Sequence, residues 1–245
     1  MKNTYLFSAI AVVGALLASP AKTQAQVNLK SISVGASYWA PSLDYWNNRS
    51  FLIDYNGGQG AKLSGTVMPT AAVEVGLVKG LSVGGRVGYW QKSASSSLSI
   101  AGISRSETFK LSIIPVALDL KYTFAKAATV STTKQADGTE EKPKEPFLTP
   151  YIGISVARYF INNDFSRQVV NNSGSLNETQ AGNNYGVQVF VGAEKKLVKK
   201  LYVGLDVRYH LGSYNQVVRS ETTTTTEKVS LNGVEAGLSL RFKFN

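Results

Sequence analysis

The sequence predicts an all-β protein, an eight-stranded antiparallel up-and-down transmembrane β-barrel. Three observations predict this class. Eight segments alternate apolar residues with small or polar ones, which is the period of a β-strand. Charged residues make up only 17% of the chain and hydrophobic residues 43%, a low charge content for a protein dissolved in water. No apolar run after residue 25 is long enough for a membrane helix.

The first 25 residues form a segment of their own. Lys2 precedes an apolar run, and small residues follow it as far as Ala25. This order is typical of a secretory signal peptide, and the run is shorter than the roughly 20 residues that a membrane anchor needs. We therefore expect a signal peptide over 1–25 and a barrel domain over 26–245.

The predicted strands follow one another along the rest of the chain. In the second of them Val73, Val75 and Leu77 share one face. In the fourth, the apolar positions change phase near Pro115, and because proline cannot donate to a β-ladder we expect a bulge there. The eight predicted strands are 29–40, 67–77, 81–90, 107–124, 148–160, 185–193, 201–211 and 234–244.

The connections between these strands differ in length. Two are short turns, at 79–80 and at 195–200, where four lysines crowd together. Short periplasmic turns and long external loops are typical of an outer-membrane barrel. The even-numbered connection 125–147 is the exception, and its Lys, Glu and Pro content predicts a flexible periplasmic excursion. The long connections, interpreted as solvated external loops, are 41–65, 91–106, 161–184 and 213–230.

Alternation alone does not separate a soluble barrel from a membrane barrel. The polar face here is mostly Gly, Ser, Thr and Ala, which suits the narrow interior of a small closed barrel. Aromatic residues also gather at both strand ends, as they do at the two interfaces of a membrane. The predicted outer belt is Tyr38, Trp39, Tyr89, Trp90, Tyr159, Phe160, Tyr209 and Tyr214. The predicted inner belt is Tyr122, Phe124, Phe147, Tyr151, Tyr202, Phe242 and Phe244.

Three stretches carry a family resemblance: IPVALDLKYTF at 114–124, TPYIGIS at 149–155 and the C-terminal strand ending RFKFN at 241–245. They resemble the small outer-membrane β-barrel proteins of Gram-negative bacteria, the porin-family relatives of the OmpA, OmpX and OmpW barrels. The resemblance implies a location in the cell outer membrane. It also implies contact with outer-membrane lipid and lipopolysaccharide, and insertion by the barrel assembly machinery. A monomer is the expected state.

Charged residues on the inward face form the candidate site, a lumen polar network. Glu74 and Arg86 flank the first short turn and are expected to be direct or diagonal cross-strand neighbours. Such residues either line a polar path or pair with one another in a filled interior. Because an eight-stranded barrel is just wide enough for its own side chains, we favour the ion-pair network. The predicted set is Glu74, Arg86, Asp119, Lys121, Glu194, Asp206, Arg208, His210 and Arg241, with Lys243 on the same face.

The residues for catalysis are sparse. The chain has no cysteine and a single histidine, His210, and it shows no metal-ligand cluster or phosphate-binding glycine loop. An outer-membrane acyl hydrolase would need a serine beside that histidine. Ser213 is three residues away and points to the opposite face of a strand. We therefore predict no enzyme, no cofactor and no metal.

The net charge of +10 does not by itself indicate nucleic acid, because the basic residues are spread over both barrel ends and no basic stripe appears. The predicted role is non-enzymatic: envelope integrity, or surface interaction through the long external loops. The alternative, implied by the OmpW resemblance, is a passive channel for small or apolar molecules. Plugging of the lumen by Trp39, Trp90, Tyr202 and Arg208 would favour the structural role.

Overall fold

A computed structural model describes residues 28–49, 62–78, 80–100, 103–124, 147–170, 175–219 and 224–244. The predicted signal peptide and nearly all of the predicted excursion 125–147 lie outside the described residues. Among the residues described, no helix is long and apolar enough to cross a membrane.

Ten strands and one short helix are described. The helix, α1, is Asp44–Arg49. The strands are β1 (Asn28–Pro41), β2 (Thr66–Val78), β3 (Leu81–Gly88), β4 (Trp90–Ile100), β5 (Ile103–Thr123), β6 (Thr149–Val170), β7 (Leu176–Val198), β8 (Leu201–Arg219), β9 (Thr224–Ser230) and β10 (Gly233–Lys243).

The strands close into a ring of antiparallel pairs. The order is β10-β1-β2-β3-β5-β6-β7-β8, and β8 pairs with β10 to complete the circle. β4 continues β3 after an interruption at Tyr89 and pairs with β5, while β9 precedes β10 and pairs with β8. β3 and β4 together therefore occupy one of the eight positions in the ring, and β9 and β10 occupy another. The predicted eight-stranded up-and-down barrel is confirmed.

The apolar face of the barrel wall points outward. On β5, Leu118 is 62% exposed whereas its neighbour Ala117 is 5% exposed, and the same alternation runs around the ring. A closed ring satisfies its own backbone hydrogen bonds, so such a wall is stable against hydrocarbon. The outward apolar side chains include Ile32, Val34, Val87, Leu120, Ile152, Ile154, Val156, Val189, Val191, Leu205, Val207, Leu238 and Leu240.

Two tight turns mark the inner end of the barrel. Gly80 has a φ of 78°, a left-handed conformation that glycine adopts without strain, and it closes the β2–β3 turn. The second turn, between β7 and β8, consists of Lys199 and Lys200 alone. The prediction of a turn over 195–200 is therefore wrong in extent, because β7 continues through Lys195 and Lys196 before the chain reverses.

At the outer end, three of the predicted loops are largely strands. The stretch 91–106 is a hairpin of β4 and β5, 161–184 belongs mostly to β6 and β7, and 213–230 mostly to β8 and β9. Their serine, asparagine and threonine content suggested loops. The backbone instead continues the pairing of the barrel in the same register, so the wall rises beyond its apolar band as long hairpins.

The predicted bulge at Pro115 is wrong. The β5–β6 pairing runs without a shift through Ile114↔Phe160 and Pro115↔Tyr159. Pro115 lies opposite Gly88, beside the interruption at Tyr89, in the gap between the last β3 pair, Val87↔Val116, and the first β4 pair, Trp90↔Ile113. The proline therefore removes no ladder hydrogen bond on that side, which leaves the strand continuous.

The change of phase in β5 has another cause, a reversal of the environment. Between Pro115 and the inner end of the barrel, the apolar residues of β5 face outward. On the other side of Pro115, Leu111 and Ile113 point into the barrel and are fully buried. A wall in lipid is apolar outside, but a wall in water must be apolar inside. The phase change marks the level at which β5 leaves the hydrocarbon.

This reversal creates a hydrophobic core inside the outer hairpins, covered by the described part of the first connection. On α1 the indole of Trp46 stacks with Tyr214 at 6.2 Å between centroids. The Asn47 side chain bonds both backbone groups of Leu63, which fixes the returning chain over the core. The outer core comprises Trp39, Leu43, Trp46, Leu63, Met68, Trp90, Ala94, Phe109, Leu111, Ile113, Tyr159, Ile161, Phe165, Tyr214, Val229 and Leu231.

Candidate functional site: the barrel lumen

The predicted lumen residues share the interior of the barrel and are joined by ion pairs. Glu74 lies between two lysines, 2.7 Å from Lys30 Nζ and in contact with Lys121 Nζ. Register places Arg86 diagonally across from Glu74, because Ala72 pairs with Arg86 and Glu74 with Gly84. Arg86 nevertheless bonds Glu235 on the far side of the lumen.

A second cluster lies around Arg241. Its Nη2 atom donates to Asp206 at 2.9 Å and to the Tyr151 hydroxyl at 2.6 Å. Tyr151 in turn donates to Asp206 at 2.6 Å, so the three side chains form a closed triangle. A Cβ at Gly192 would overlap the Tyr151 ring, so glycine is needed for this ring to lie inside. Tyr151 is thus 2% exposed and does not belong to the predicted inner belt.

Glu194 connects this cluster to the inner end. Its carboxylate contacts Lys243 Nζ and lies 3.5 Å from Arg241 Nη1. The Lys243 ammonium also lies 4.1 Å from the ring centre of Tyr202. Tyr202 therefore faces the inner mouth of the lumen and is a second residue that leaves the predicted inner belt.

Arg208 occupies the middle of the lumen with only 4% of its surface exposed. Its guanidinium donates two parallel hydrogen bonds to the Asp119 carboxylate, of 3.1 and 3.0 Å. It also donates to Ser155 and Gln188, each at 3.0 Å, and lies over the Phe190 ring at 4.0 Å. The Nε of Arg208 is buried without a hydrogen-bond partner, but the bidentate carboxylate neutralises the charge, as is typical of a structural ion pair.

His210 lies one step further outward. Its Nε2 is 2.7 Å from Glu235 Oε2, and its Nδ1 is 3.0 Å from the Tyr159 hydroxyl. Gln188 bonds the same hydroxyl at 3.1 Å, which links this group to Arg208. The imidazole is fully buried, and the inward side chain of Tyr214 on the same strand shows that Ser213 has the opposite phase. The histidine and serine of the hydrolase hypothesis therefore do not share a face.

Aromatic side chains close the lumen above His210. Trp39, Trp90, Tyr159 and Met68 all have 0% exposure. The two indoles meet edge to face at 6.2 Å, and Trp90 Nε1 donates to the backbone oxygen of Trp39 at 3.1 Å. We call Trp39, Trp90, Tyr159 and Met68 the aromatic plug.

The predicted outer belt is therefore only half correct. Tyr38, Tyr89, Phe160 and Tyr209 face outward and are 39% to 52% exposed. Trp39, Trp90, Tyr159 and Tyr214, predicted for the same belt, are buried inside the barrel. In the adjacent pairs at 38–39, 89–90 and 159–160, one ring reaches the membrane face and the other reaches the interior, because successive side chains of a strand alternate.

Below the plug the side chains leave a cavity of about 60 Å³. Its lining includes Glu74, Arg86, Asp119 and Arg208, so it is polar. A cavity of this size and polarity has room for a few water molecules. The described residues contain no group of three or more His, Asp or Glu side chains that could hold a metal ion.

Sequence reasoning placed the charges on the inward face but omitted several partners. Glu235, 2% exposed, bonds both Arg86 and His210. Its phase on the last strand is that of Arg241, so alternation was a sufficient signal for it. The choice of partner across the lumen had no such signal, because it depends on ring closure. The other omitted partners are Lys30, Tyr151, Ser155, Tyr159 and Gln188.

No family model matches the chain, and no curated protein is significantly similar to it. Solved structures of bacterial barrels are similar to it at low identity. Neisserial surface protein A is 10% identical to this chain, with a TM-score of 0.46. The alignment covers 87% of this chain and 96% of that protein. AlkL, an outer membrane protein determined in lipid bilayers, is 14% identical with coverages of 93% and 95% and a TM-score of 0.45. Outer Membrane Protein W of E. coli is 10% identical with coverages of 89% and 100% and a TM-score of 0.41.

The geometry of the barrel wall assigns the chain to a structural class. The ring is closed, its outward face is apolar over the length of a membrane-spanning strand, and its inside is charged. The chain is an eight-stranded transmembrane β-barrel. Inside its outer hairpins lies an apolar core like that of a water-soluble protein. The aromatic plug lies at the level where these hairpins meet the membrane-spanning wall.

Proposed function

We propose that this barrel is non-enzymatic and non-conducting, and that it supports envelope integrity or surface interaction through its outer hairpins. The observation that carries the proposal is the aromatic plug, whose four side chains are completely buried across the lumen. Ions cross a barrel through a hydrated path, and a dry layer of two indoles and a phenol opposes that path. Below it, the lumen charges are engaged with one another.

The outer hairpins support a role at the surface. Inside them, Gln216 Oε1 accepts bonds from Asn163 at 3.1 Å and from Tyr214 at 2.7 Å. Near the tips, Glu107 contacts Arg105 and lies 2.7 Å from Arg167 Nε. These buried bonds hold the hairpins in one arrangement, so a partner would meet a preformed surface and little order would have to be gained on binding.

The outward side of these hairpins is mostly polar, with exposed apolar exceptions such as Val170 and Val217. On β4 the exposed positions are Gln91, Ser93, Ser95, Ser97 and Ser99. Hydroxyl and amide groups on a rigid sheet suit hydrogen-bonded recognition of a polar partner more than burial of an apolar one. As a membrane barrel the protein would contact outer-membrane lipid and lipopolysaccharide, and the barrel assembly machinery would insert it.

The decisive experiment is a planar-bilayer recording of the purified protein. We expect no discrete conductance steps above the bare bilayer. Steps of uniform size from the wild-type protein would contradict the proposal and support the alternative, a passive channel for small or apolar molecules.

Enzymatic activity is tested separately with lipid A from cells that have or lack the protein. The expected mass spectra are identical, because Ser213 lies on the opposite face of the strand from His210 and the plug covers His210. A change in acylation would restore the acyl hydrolase hypothesis.

A further inference from the structure

Arg158 differs from the other arginines of the barrel. The side chains of Arg86, Arg105, Arg167, Arg208 and Arg241 each pair with a carboxylate. Among the arginines whose side chains the structure describes, Arg158 alone has no carboxylate within 4.0 Å. It is exposed on the outward face of β6.

Neighbouring side chains hold the Arg158 guanidinium in place without neutralising it. Its Nη2 donates to Asn183 Oδ1 at 2.8 Å and its Nη1 to the Tyr185 hydroxyl at 3.4 Å. Its central carbon lies 5.3 Å from the ring centre of Phe160 and 5.2 Å from that of Tyr185. A guanidinium has five N–H groups, so donors remain for an acceptor on the outward side.

Arg158 lies at the outer border of the apolar band. On β6 the outward residues before it are Ile154 and Val156, 49% and 58% exposed, and Asn162 and Asp164 follow beyond Phe160. An arginine on the lipid face is costly at the middle of a bilayer but nearly free at its interface. The level of Arg158 is therefore that of the lipid headgroups.

We propose that Arg158, with Tyr185 and Asn183, binds a phosphate group of an outer-leaflet lipid of the lipid A class. The guanidinium fork matches two phosphate oxygens, and the headgroup layer supplies that anion at this depth. Phe160 and Tyr185 fix the plane of the fork and lie against the lipid. The guanidinium charge of Arg158, which has no carboxylate partner within the chain, is thereby paired with a lipid phosphate.

Native mass spectrometry of the detergent-solubilised full chain tests this site. Bisphosphorylated lipid A is compared with the same lipid after removal of both phosphates, on wild type, R158Q, R158K and K110Q. Lys110 is the matched control, because it is an outward cation on neighbouring β5 that lies beyond the apolar band. Circular dichroism verifies that each variant has the wild-type β content.

Wild type and K110Q should retain bisphosphorylated lipid A equally, and R158Q about tenfold less, as expected for one lost charge-assisted contact. R158K keeps the charge without the fork and should fall in between, and it carries the test if R158Q does not fold. Equal retention by wild type and R158Q overturns the proposal, as does equal binding of the dephosphorylated lipid. Inorganic phosphate that binds wild type as tightly as the lipid overturns the assignment to a lipid. None of these outcomes depends on whether the barrel conducts.

Discussion

The imidazole of His210 stacks on the indole of Trp39, with their ring centroids 4.4 Å apart. His210 belongs to the charged lumen through Glu235, and Trp39 belongs to the aromatic plug. The contact between the two rings is thus the level at which the interior changes from ionic to apolar. The proposed seal at this level depends on the bulk of the aromatic side chains.

Removal of the two indoles tests the seal. The double variant Trp39→Ala/Trp90→Ala should allow ion leakage that the wild type lacks, because it deletes two large side chains from the dry layer. Planar-bilayer recordings measure the leak. Tyr38→Ala/Tyr89→Ala is the matched control, since it deletes outward rings one residue away on the same walls. Equal conductance of the two double variants would show that the indoles are not the barrier.

Arg208 should be important for stability. Arg208→Gln leaves Asp119, whose side chain is 14% exposed, without its principal partner, and the expected cost is about 3 to 5 kcal/mol in the free energy of unfolding. Urea unfolding of the protein from lipid vesicles measures this quantity. The double variant Asp119→Asn/Arg208→Gln should recover part of the loss, because it leaves no unpaired charge. A cost for Arg208→Gln no larger than that of the exposed Lys228→Gln would contradict the network.

The depth of the apolar band can be mapped with single cysteines, because the natural chain has none. Leu118→Cys and Thr108→Cys place a fluorescent label on the same outward face of β5, inside and beyond the band. Brominated lipid tails should quench the label at 118 and leave the label at 108 bright, since bromine quenches only at short range. Equal quenching at both positions would mean that the band ends elsewhere.

Amide hydrogen exchange distinguishes hairpins from loops at the outer end. Residues 161–170 and 176–184 should contain amides that exchange slowly, because β6 and β7 are paired through these positions. Mass spectrometry of peptides from the protein in lipid nanodiscs reports the exchange. Complete exchange of both stretches within seconds would be the behaviour of the loops that their composition suggested.

Alternation was sufficient for most of the wall. It predicted the outward direction of Val34, Leu118 and Leu238 and the inward direction of Glu74 and Arg208, because a strand has a fixed period of two. Composition failed at the outer end. The serines of β4 and the asparagines of β6 are typical of loops, yet they lie in strands whose pairing was already set by the barrel below.

The sequence by itself determined an eight-stranded wall, its apolar outer face and the inward charges, since each follows from local periodicity. Only the tertiary structure decided which charges pair across the lumen, which aromatics leave the membrane face for the plug, and where the apolar side of β5 turns inward. These depend on ring closure and on the change from lipid to water along a strand, and neither can be derived from the residues of that strand alone.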